Sequence, residues 1–303
     1  PRLEKLESLV KPERVMPATV EIVDIAGLVK GASKGEGLGN QFLGNIRECN
    51  AIIHVLRCFE NDNIVHVDGS VDPIRDKETI DIELQLKDLE TVEKRLEKVT
   101  RAAKAGDKKA AKEMDLLNRV KEALLTGVSA RAVQISDEEK ELLDSFQLLT
   151  TKPVLYVCNV DEKSAKNGNT YVEQVKDAVK GEDAEVIVLA VATEADITEL
   201  ESYEERQMFL EDIGLEEPGA SKLIRAAYHL LNLQTYFTAG VKEVRAWTIH
   251  QGDTAPQAAG VIHTDFEKGF IRAEVIAYND FITYGSEAKV KEAGKMRVEG
   301  KEY

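Results

Sequence analysis

The sequence predicts an α/β fold, because short apolar runs rich in β-branched residues alternate with segments of helical periodicity. Three such runs cover residues 20–25, 153–158 and 185–190, and each leads into a candidate loop. Strands that alternate with helical segments favour a parallel sheet. Open sheets of this kind bind ligands at the carboxyl ends of their strands, so the residues that follow the three runs are the first candidates for a functional site.

The first apolar run ends in the pattern Asp-x-x-Gly, formed by Asp24 and Gly27. In nucleotide triphosphatases the aspartate of this pattern approaches a bound Mg²⁺, and the glycine N–H can reach the γ-phosphate. Glycine recurs in the following loop at positions 27, 31, 35, 37 and 39, as expected for a backbone that moves or closely approaches a ligand. Because Asp-x-x-Gly is a common pattern, an ordinary strand followed by a flexible loop is the alternative interpretation.

The second run leads into a candidate base-binding motif, Asn-Val-Asp-Glu, at residues 159–162. Ras-type GTPases have Asn-Lys-x-Asp at this place, and the aspartate carboxylate pairs with two N–H donors of guanine. Here Glu162 replaces that aspartate and Val160 replaces the lysine, while Asn159 is kept. The replacement weakens the case for guanine and favours ATP, because adenine offers only its exocyclic amine. A strand end followed by a polar turn is the alternative.

The third run leads into residues 191–193, which fit the loop that backs the base with main-chain groups in such enzymes. Ala192 is the residue that we expect to face the base. The three loops together predict a nucleotide-binding domain more strongly than any one of them does.

A long helical insertion lies between the first and second candidate sites. Apolar residues recur at steps of three and four, and a second stripe follows a break at residues 105–107. The two stripes occupy positions 82, 86, 89, 92, 96 and 99, and then 114, 117, 120 and 124. They predict an antiparallel coiled-coil hairpin, and Ser136 with Glu139 predicts a capping box for a third helix. In the simplest interpretation the two apolar stripes pack against each other. Only the tip and rim of the hairpin then remain available to contact a partner.

Composition and charge limit the partners. The chain has 303 residues, enough for two or three domains, and a formal net charge of −15. Residues 234–303 carry nine Lys/Arg and ten Asp/Glu, so the acidity lies in the rest of the chain. RNA binding then requires a local basic face, for which positions 268, 272, 289, 291 and 295 are candidates, with a solvated surface as the alternative. No apolar run approaches the ~20 residues that span a bilayer, so a membrane is not an expected partner. DNA is not an expected partner either.

The cysteines and histidines have no metal-type or catalytic spacing. The three cysteines, at positions 49, 58 and 158, are an odd number, which argues against a disulfide framework and favours reduced thiols in the cytoplasm. We expect packing roles for Cys58 and Cys158, which each follow or end a strand. The five histidines are assigned to structural or surface roles.

Five segments of the sequence resemble the YchF or Obg-like ATPase family of P-loop proteins. They are residues 24–43, 57–64, 159–162, 231–249 and 263–275, so the resemblance covers nearly the whole chain. It implies a P-loop NTPase G domain in two parts, residues 1–71 and 150–233. It also implies a helical coiled-coil insertion at residues 72–149 and a C-terminal TGS domain of β-grasp fold at residues 234–303.

The resemblance also implies a function. Members of the family hydrolyse ATP, often with GTP as a poorer substrate, and associate with ribosomes, so ribosomal RNA is an expected partner. Asp24 would hold Mg²⁺ through water and Gly27 would lie at the γ-phosphate. Asn159, Val160 and Glu162 would hold the base, and Ala192 would back it. A GTPase of the same fold and a nucleotide-independent binding module for RNA or ribosomes are the alternatives.

Two departures qualify these expectations. The phosphate-binding loop G-x-x-x-x-G-K-[ST] does not occur in the 303 residues, and chain position suggests that it lies upstream in a longer protein. We therefore expect these residues alone to be inactive. Leu28 stands where Ras-like enzymes have the glutamine that orients the attacking water, which predicts slow turnover accelerated by a partner. The catalytic group is unknown, and Lys30, Lys34 and Asn40 are only nearby polar candidates.

Overall fold

The structure is a computed structural model that describes residues 2–25 and 39–303, with side chains in the second range described from residue 42. It contains two compact units, one formed by Pro1–Ile22 with Leu231–Tyr303 and the other by Val23–Leu230. No helix among the described residues is both long enough and apolar enough to cross a membrane. In chain order the helices and strands are α1 (Arg2–Val10), β1 (Arg14–Met16), α2 (Gly39–Glu48), β2 (Ile52–Arg57), α3 (Pro73–Lys104), α4 (Lys108–Leu125), α5 (Asp137–Asp144), β3 (Val154–Asn159), α6 (Thr170–Ala178), β4 (Glu185–Leu189), α7 (Val191–Glu199), α8 (Tyr203–Asp212), α9 (Gly219–Leu230), β5 (Leu233–Ala239), β6 (Glu243–His250), α10 (Ala255–Ile262), α11 (Thr264–Lys268), β7 (Ala273–Val275), α12 (Tyr278–Tyr284), α13 (Glu287–Glu292) and β8 (Arg297–Glu299).

A parallel sheet of β2, β3 and β4, in that order, forms the centre of the larger unit. The two later apolar runs are confirmed as strands of this sheet. Residues 154–158 are all buried, as expected for a strand covered on both faces. The register pairs Arg57 with Asn159 and Asn159 with Leu189, so the three strands end at one level.

The prediction of a strand at residues 20–25 is wrong for this structure, because none of these residues belongs to a strand. The described residues supply no neighbouring strand for them, and β2 pairs only with β3 among the described strands. Ile22 and Val23 are half exposed. A β-branched run becomes a strand only where a second strand satisfies its backbone N–H and C=O groups.

The predicted helical hairpin is confirmed as α3 followed by α4. Asp72 accepts hydrogen bonds from the first amides of α3, and Asp107 does the same for α4. The break between them contains Gly106, whose φ of 94° lies in the left-handed region that favours glycine. The core of the hairpin contains Val92, Leu116, Leu117, Val120 and Leu124.

The first two members of the predicted apolar stripe are not buried. Ile82 is 52 % exposed and Leu86 is 45 % exposed, whereas Leu89 packs against the hairpin core. Ile82 and Leu86 lie beside the end of α4. Gln85, which lies between them in the sequence, donates from Nε2 to the carbonyl of Gly127, and Gly127 follows the last turn of α4. The partner helix therefore ends before it can cover them.

A buried carboxylate fixes the place where the chain leaves the helical insertion and enters β3. Asp88 is fully buried and accepts hydrogen bonds from Leu149 N, Thr150 N and Thr150 Oγ1, at 2.8, 2.7 and 2.7 Å. Burial raises the pKa of Asp88 above its ordinary value, although these three donors act in the opposite direction. The predicted capping box of Ser136 and Glu139 is also present, at the start of α5.

The smaller unit is built around strands β1, β6 and β5, in that order. β6 pairs antiparallel with β5 and parallel with β1, and β7 pairs with β8 in a separate two-stranded sheet. The position of β1 differs from the predicted division of the chain, which placed residues 1–71 together. Residues 1–22 belong instead with the C-terminal unit, because β1 completes the sheet of β5 and β6.

Candidate functional site

The carboxyl ends of β3 and β4 are joined by two hydrogen bonds that centre on Asn159 and Val160. Asn159 Oδ1 accepts from the backbone N of Val191 at 3.1 Å, and Val160 N donates to the carbonyl of Leu189 at 2.9 Å. Asn159 thus connects the end of one strand to the start of the helix that follows the next. Asn159 is partly exposed at this edge of the sheet.

Glu162 lies in a short 3-10 turn, Glu162–Ser164, directly after this edge. Asp161 accepts from the backbone N of Ser164 at 3.2 Å and so caps the turn. Glu162 itself is exposed. Asp161 thus has a local structural role in the turn, and Glu162 is an exposed carboxylate of the motif beside this edge.

Ala192 lies in the first turn of α7, and not in a loop as predicted. The residue before the helix, Ala190, provides no side-chain cap, and Asn159 supplies the acceptor for Val191 instead. The first amides of a helix have no partner within the helix, so they are available to an acceptor on a ligand. Ala192 is exposed and can offer its main chain in this way.

The side chain of Val160 lies in the hydrophobic core under the edge. It is 3 % exposed and belongs to the same buried cluster as Leu56, Cys58 and Cys158. Both of these cysteines have the buried packing role that the sequence predicts. The role of Val160 at the edge is therefore core packing and a main-chain hydrogen bond, and its side chain does not face outward.

The phosphate side of the predicted site is described only at Asp24, which is exposed. Gly27, Leu28, Lys30 and Lys34 lie outside the described residues, and so does the side chain of Asn40. A single exposed carboxylate fits Mg²⁺, which usually binds one or two protein carboxylates together with phosphate oxygens and water.

Arg57 organises the loop after β2, a role that was not predicted from the sequence. Its guanidinium donates to the carbonyls of Phe59, Asn61 and Ile64, at 3.2, 3.3 and 3.0 Å. It also lies 4.9 Å from the centre of the Phe59 ring. In the sequence, residues 57–64 stand out only by their family resemblance. The acceptors of Arg57 are backbone carbonyls, and a pattern of side chains does not reveal them.

The described residues include one cluster of metal-type ligands, formed by His66, Asp68 and Asp76. Nε2 of His66 lies 2.9 Å from Asp76 Oδ2, and its Nδ1 accepts from Asp68 N. The guanidinium of Arg75 lies 3.3 Å from Asp76 and 3.8 Å from Asp68. Since Arg75 balances the two carboxylates, the cluster has a structural role in ordering the loop that leads into α3.

A buried polar cluster connects α3 to the middle of β3. Lys77 Nζ lies 2.7 Å from both Asp81 and Glu182, and the hydroxyl of Tyr156 donates to Glu182 at 2.9 Å. His54 lies beside this cluster, with its ring 5.7 Å from that of Tyr156. Burial lowers the pKa of His54 to about 4; Lys77 acts in the same direction, whereas Asp81, Glu182 and Asp76 act against the shift.

This pKa predicts that acid weakens the larger unit. His54 stays neutral in the folded chain but protonates near its ordinary pKa of about 6.5 after unfolding. Its contribution to stability is therefore complete above pH 6.5 and is lost as the pH falls toward 4. Between pH 7 and pH 5 we expect the free energy of unfolding to fall by about 2 kcal/mol on account of this group. Urea unfolding followed by circular dichroism at the two pH values measures it.

His54→Phe tests this assignment. His229→Phe is its matched control, because the side chain of His229 is 80 % exposed. His54→Phe should reduce the pH dependence by the stated amount, and His229→Phe should leave it unchanged. An equal pH dependence in the wild-type chain and in His54→Phe would contradict the assignment.

Two family models match the chain. Residues 8–93 match a family described as 50S ribosome-binding GTPase. Residues 233–303 match the family YchF-GTPase_C, described as a protein of unknown function (DUF933). The first match includes Asp24 and the loop after β2, and the second covers nearly all of the smaller unit's C-terminal part.

Relatives and a solved structure agree with these matches. The Ribosome-binding ATPase YchF of Escherichia coli O157:H7 is 57 % identical over 303 residues, which are 100 % of this chain and 83 % of the relative. The protein of the same name from Bacillus subtilis strain 168 is 54 % identical over 304 residues, again 100 % of this chain and 83 % of the relative. The structure of the Schizosaccharomyces pombe YchF GTPase superposes with a TM-score of 0.87 at 40 % identity, covering 100 % of this chain and 82 % of that one. By sequence along its whole length and by fold, the chain belongs to the YchF family.

Proposed function

We propose that the protein is a nucleotide-dependent switch that hydrolyses ATP, and GTP more weakly, in association with ribosomes in the cytoplasm. One observation carries the nucleotide part of the proposal. The carboxyl ends of β3 and β4 bring Asn159, the exposed carboxylate of Glu162 and the first turn of α7 together at one edge of a parallel sheet. Such edges are where open α/β sheets bind nucleotides.

Each residue at this edge has its own role in binding the base. Glu162 accepts a hydrogen bond from the exocyclic amine of adenine, and Asn159 keeps the start of α7 in position while its amide faces the ligand. The main chain of Ala192 backs the base from the first turn of the helix. Val160 supports the edge from the core, where its side chain is buried.

The phosphates belong at the other side of the site. Asp24 would hold Mg²⁺ through a water molecule, and Gly27 would bind at the γ-phosphate. When bound, the ion neutralises charge on the phosphate oxygens. Since the 303 residues contain no phosphate-loop lysine, we expect them to hydrolyse no ATP by themselves. The side chain of Leu28 cannot orient water, so in this proposal a partner such as the ribosome accelerates turnover.

The ribosomal part of the proposal is supported by what the relatives are called. The bacterial relatives are named ribosome-binding ATPases, and the model matching residues 8–93 is described as a ribosome-binding GTPase. In this proposal residues 72–149 form a coiled-coil domain, and residues 234–303 a TGS domain with a β-grasp fold. Ribosomal RNA contacts the basic residues of the latter, at positions 268, 272, 289, 291 and 295.

The competing functions are a GTPase with the same body and a binding module that needs no nucleotide. The first is favoured by the word GTPase in the description of the yeast structure. A preference for GTP over ATP would favour the GTPase over the proposed function. The lack of any nucleotide binding would favour the binding module.

Replacing Glu162 by aspartate tests the base assignment. The shorter carboxylate restores the residue that pairs with guanine in Ras-type enzymes, so the ratio of ATP to GTP affinity should fall by about tenfold, or about 1.4 kcal/mol. Titration calorimetry with both nucleotides, on the protein as its cell makes it, measures this ratio. Val160→Lys would complete the guanine motif, but it would place a charge in the core.

The control is Glu199→Asp, at the far end of α7, where the side chain is exposed. It should not change the preference. An unchanged preference in Glu162→Asp would show that this carboxylate does not bind the base.

A further inference from the structure

The loop after β2 exposes two valines almost completely. Val65 is 91 % exposed and Val67 is 94 % exposed, and the neighbouring Ile64 is 48 % exposed. We call residues 60–68 the valine loop. Single exposed apolar residues are ordinary on protein surfaces, whereas three within four positions of one loop favour an interaction site.

The valine loop is held in this shape from its inner side. Arg57 donates to the carbonyls of Asn61 and Ile64, and the ring of His66 turns inward to contact Asp76. Because His66 faces inward, Val65 and Val67 on either side of it face outward. A partner would therefore meet a preformed apolar surface and would not have to order it, which reduces the entropy lost on binding.

Charge indicates which partner the surface fits. Residues 57–76 contain five carboxylates, at positions 60, 62, 68, 72 and 76, and two arginines, at positions 57 and 75, a balance of −3. Arg75 neutralises part of this charge beside Asp68 and Asp76, whereas Glu60 and Asp62 lie exposed on the valine loop. This charge repels the phosphates of nucleic acid and of acidic lipid headgroups. It attracts a protein segment that carries lysine or arginine beside apolar side chains.

We propose that the valine loop is a docking surface for a basic, partly apolar segment of a ribosomal protein. Val65 and Val67 supply the apolar contact, and the exposed carboxylates of Glu60 and Asp62 pair with the partner's basic side chains. This inference rests on the proposed association with ribosomes, and it adds that the contact at this loop is made by protein and not by ribosomal RNA.

The test uses purified 70S ribosomes and the protein as its cell makes it. Cosedimentation should show at least tenfold weaker binding for the double variant Val65→Asp with Val67→Asp, and weaker binding for Asp62→Lys. The matched control is Met208→Asp, in α8 of the larger unit, where the methionine is 70 % exposed. It should bind as the wild type does, and circular dichroism confirms that each variant is folded.

A second readout identifies the partner's chemistry. Benzoylphenylalanine at position 65 should crosslink to a ribosomal protein, and mass spectrometry should place the adduct in a segment rich in lysine or arginine. A crosslink to RNA would overturn the inference, and so would wild-type ribosome binding by the double variant. If the wild-type protein does not sediment with ribosomes at all, the proposed function itself fails and the inference falls with it.

Discussion

Replacing Asp88 by alanine lowers the free energy of unfolding of the larger unit by about 3–5 kcal/mol, the largest loss expected for a single side chain here. The carboxylate is fully buried and is the acceptor for three donors, Leu149 N, Thr150 N and Thr150 Oγ1. Alanine leaves the two amides without an acceptor and opens a cavity between α3 and the start of β3. Urea unfolding followed by the helical circular dichroism signal measures the loss.

Two further variants separate the hydrogen bonds from the charge. Asp88→Asn keeps one acceptor oxygen and should lose clearly less stability than alanine does. Asp144→Ala removes an exposed carboxylate from α5 and should change the free energy of unfolding by less than about 0.5 kcal/mol. A loss below about 1 kcal/mol for Asp88→Ala would mean that Asp88 does not anchor the helical insertion to the sheet.

Replacing Asn159 by alanine weakens ATP binding by about 100-fold, equivalent to about 2.7 kcal/mol. The side chain has two tasks in the proposed site: its Oδ1 accepts from Val191 N, and its amide is proposed to face the ligand. Without it, the first turn of α7 and the turn that carries Glu162 lose their common anchor. Calorimetric titration with ATP measures the change.

Asn167→Ala is the matched control, because Asn167 is exposed in the segment between β3 and α6. It should bind ATP as the wild type does. Asn159→Ala should remain folded, with a loss of about 1 kcal/mol for one partly exposed hydrogen bond. ATP binding by Asn159→Ala within threefold of the wild type would contradict the assigned role.

The sequence predicts best those elements whose cause is local. The helical hairpin, its break at Gly106 and the capping box of Ser136 depend on residues a few positions apart, and all three were confirmed. The strands at residues 154–159 and 185–189 were predicted from their apolar runs, and residues 154–158 are all buried, as expected for a strand covered on both faces.

The wrong predictions share one physical cause: the structure of these segments depends on residues that are distant in sequence. Residues 20–25 have the composition of a strand but no strand beside them among the described residues. Ile82 and Leu86 continue the apolar stripe past the end of α4. Residues 1–22 join the smaller unit through a pairing with β6, more than two hundred residues away.

In the candidate site, too, residues in local motifs were predicted and residues with distant partners were not. Asn159, Glu162 and Ala192 were predicted from motifs, and the structure places them at one edge. The sequence did not predict the supporting residues: Arg57, whose acceptors are carbonyls, and Asp88, whose donors lie about 60 positions away. It also did not predict that Val160 faces the core, because this residue follows the end of β3, where the pattern of the strand no longer indicates which way a side chain points.

The central claim is that the base of ATP binds between the end of β3 and the start of α7. Photolabelling with 8-azido-ATP tests it most directly, because the azide lies on the base and the labelled peptide can be identified by mass spectrometry. We expect label within residues 159–164 or 190–193, with ATP protecting more strongly than GTP. Label confined to other peptides, or stronger protection by GTP, would contradict the account.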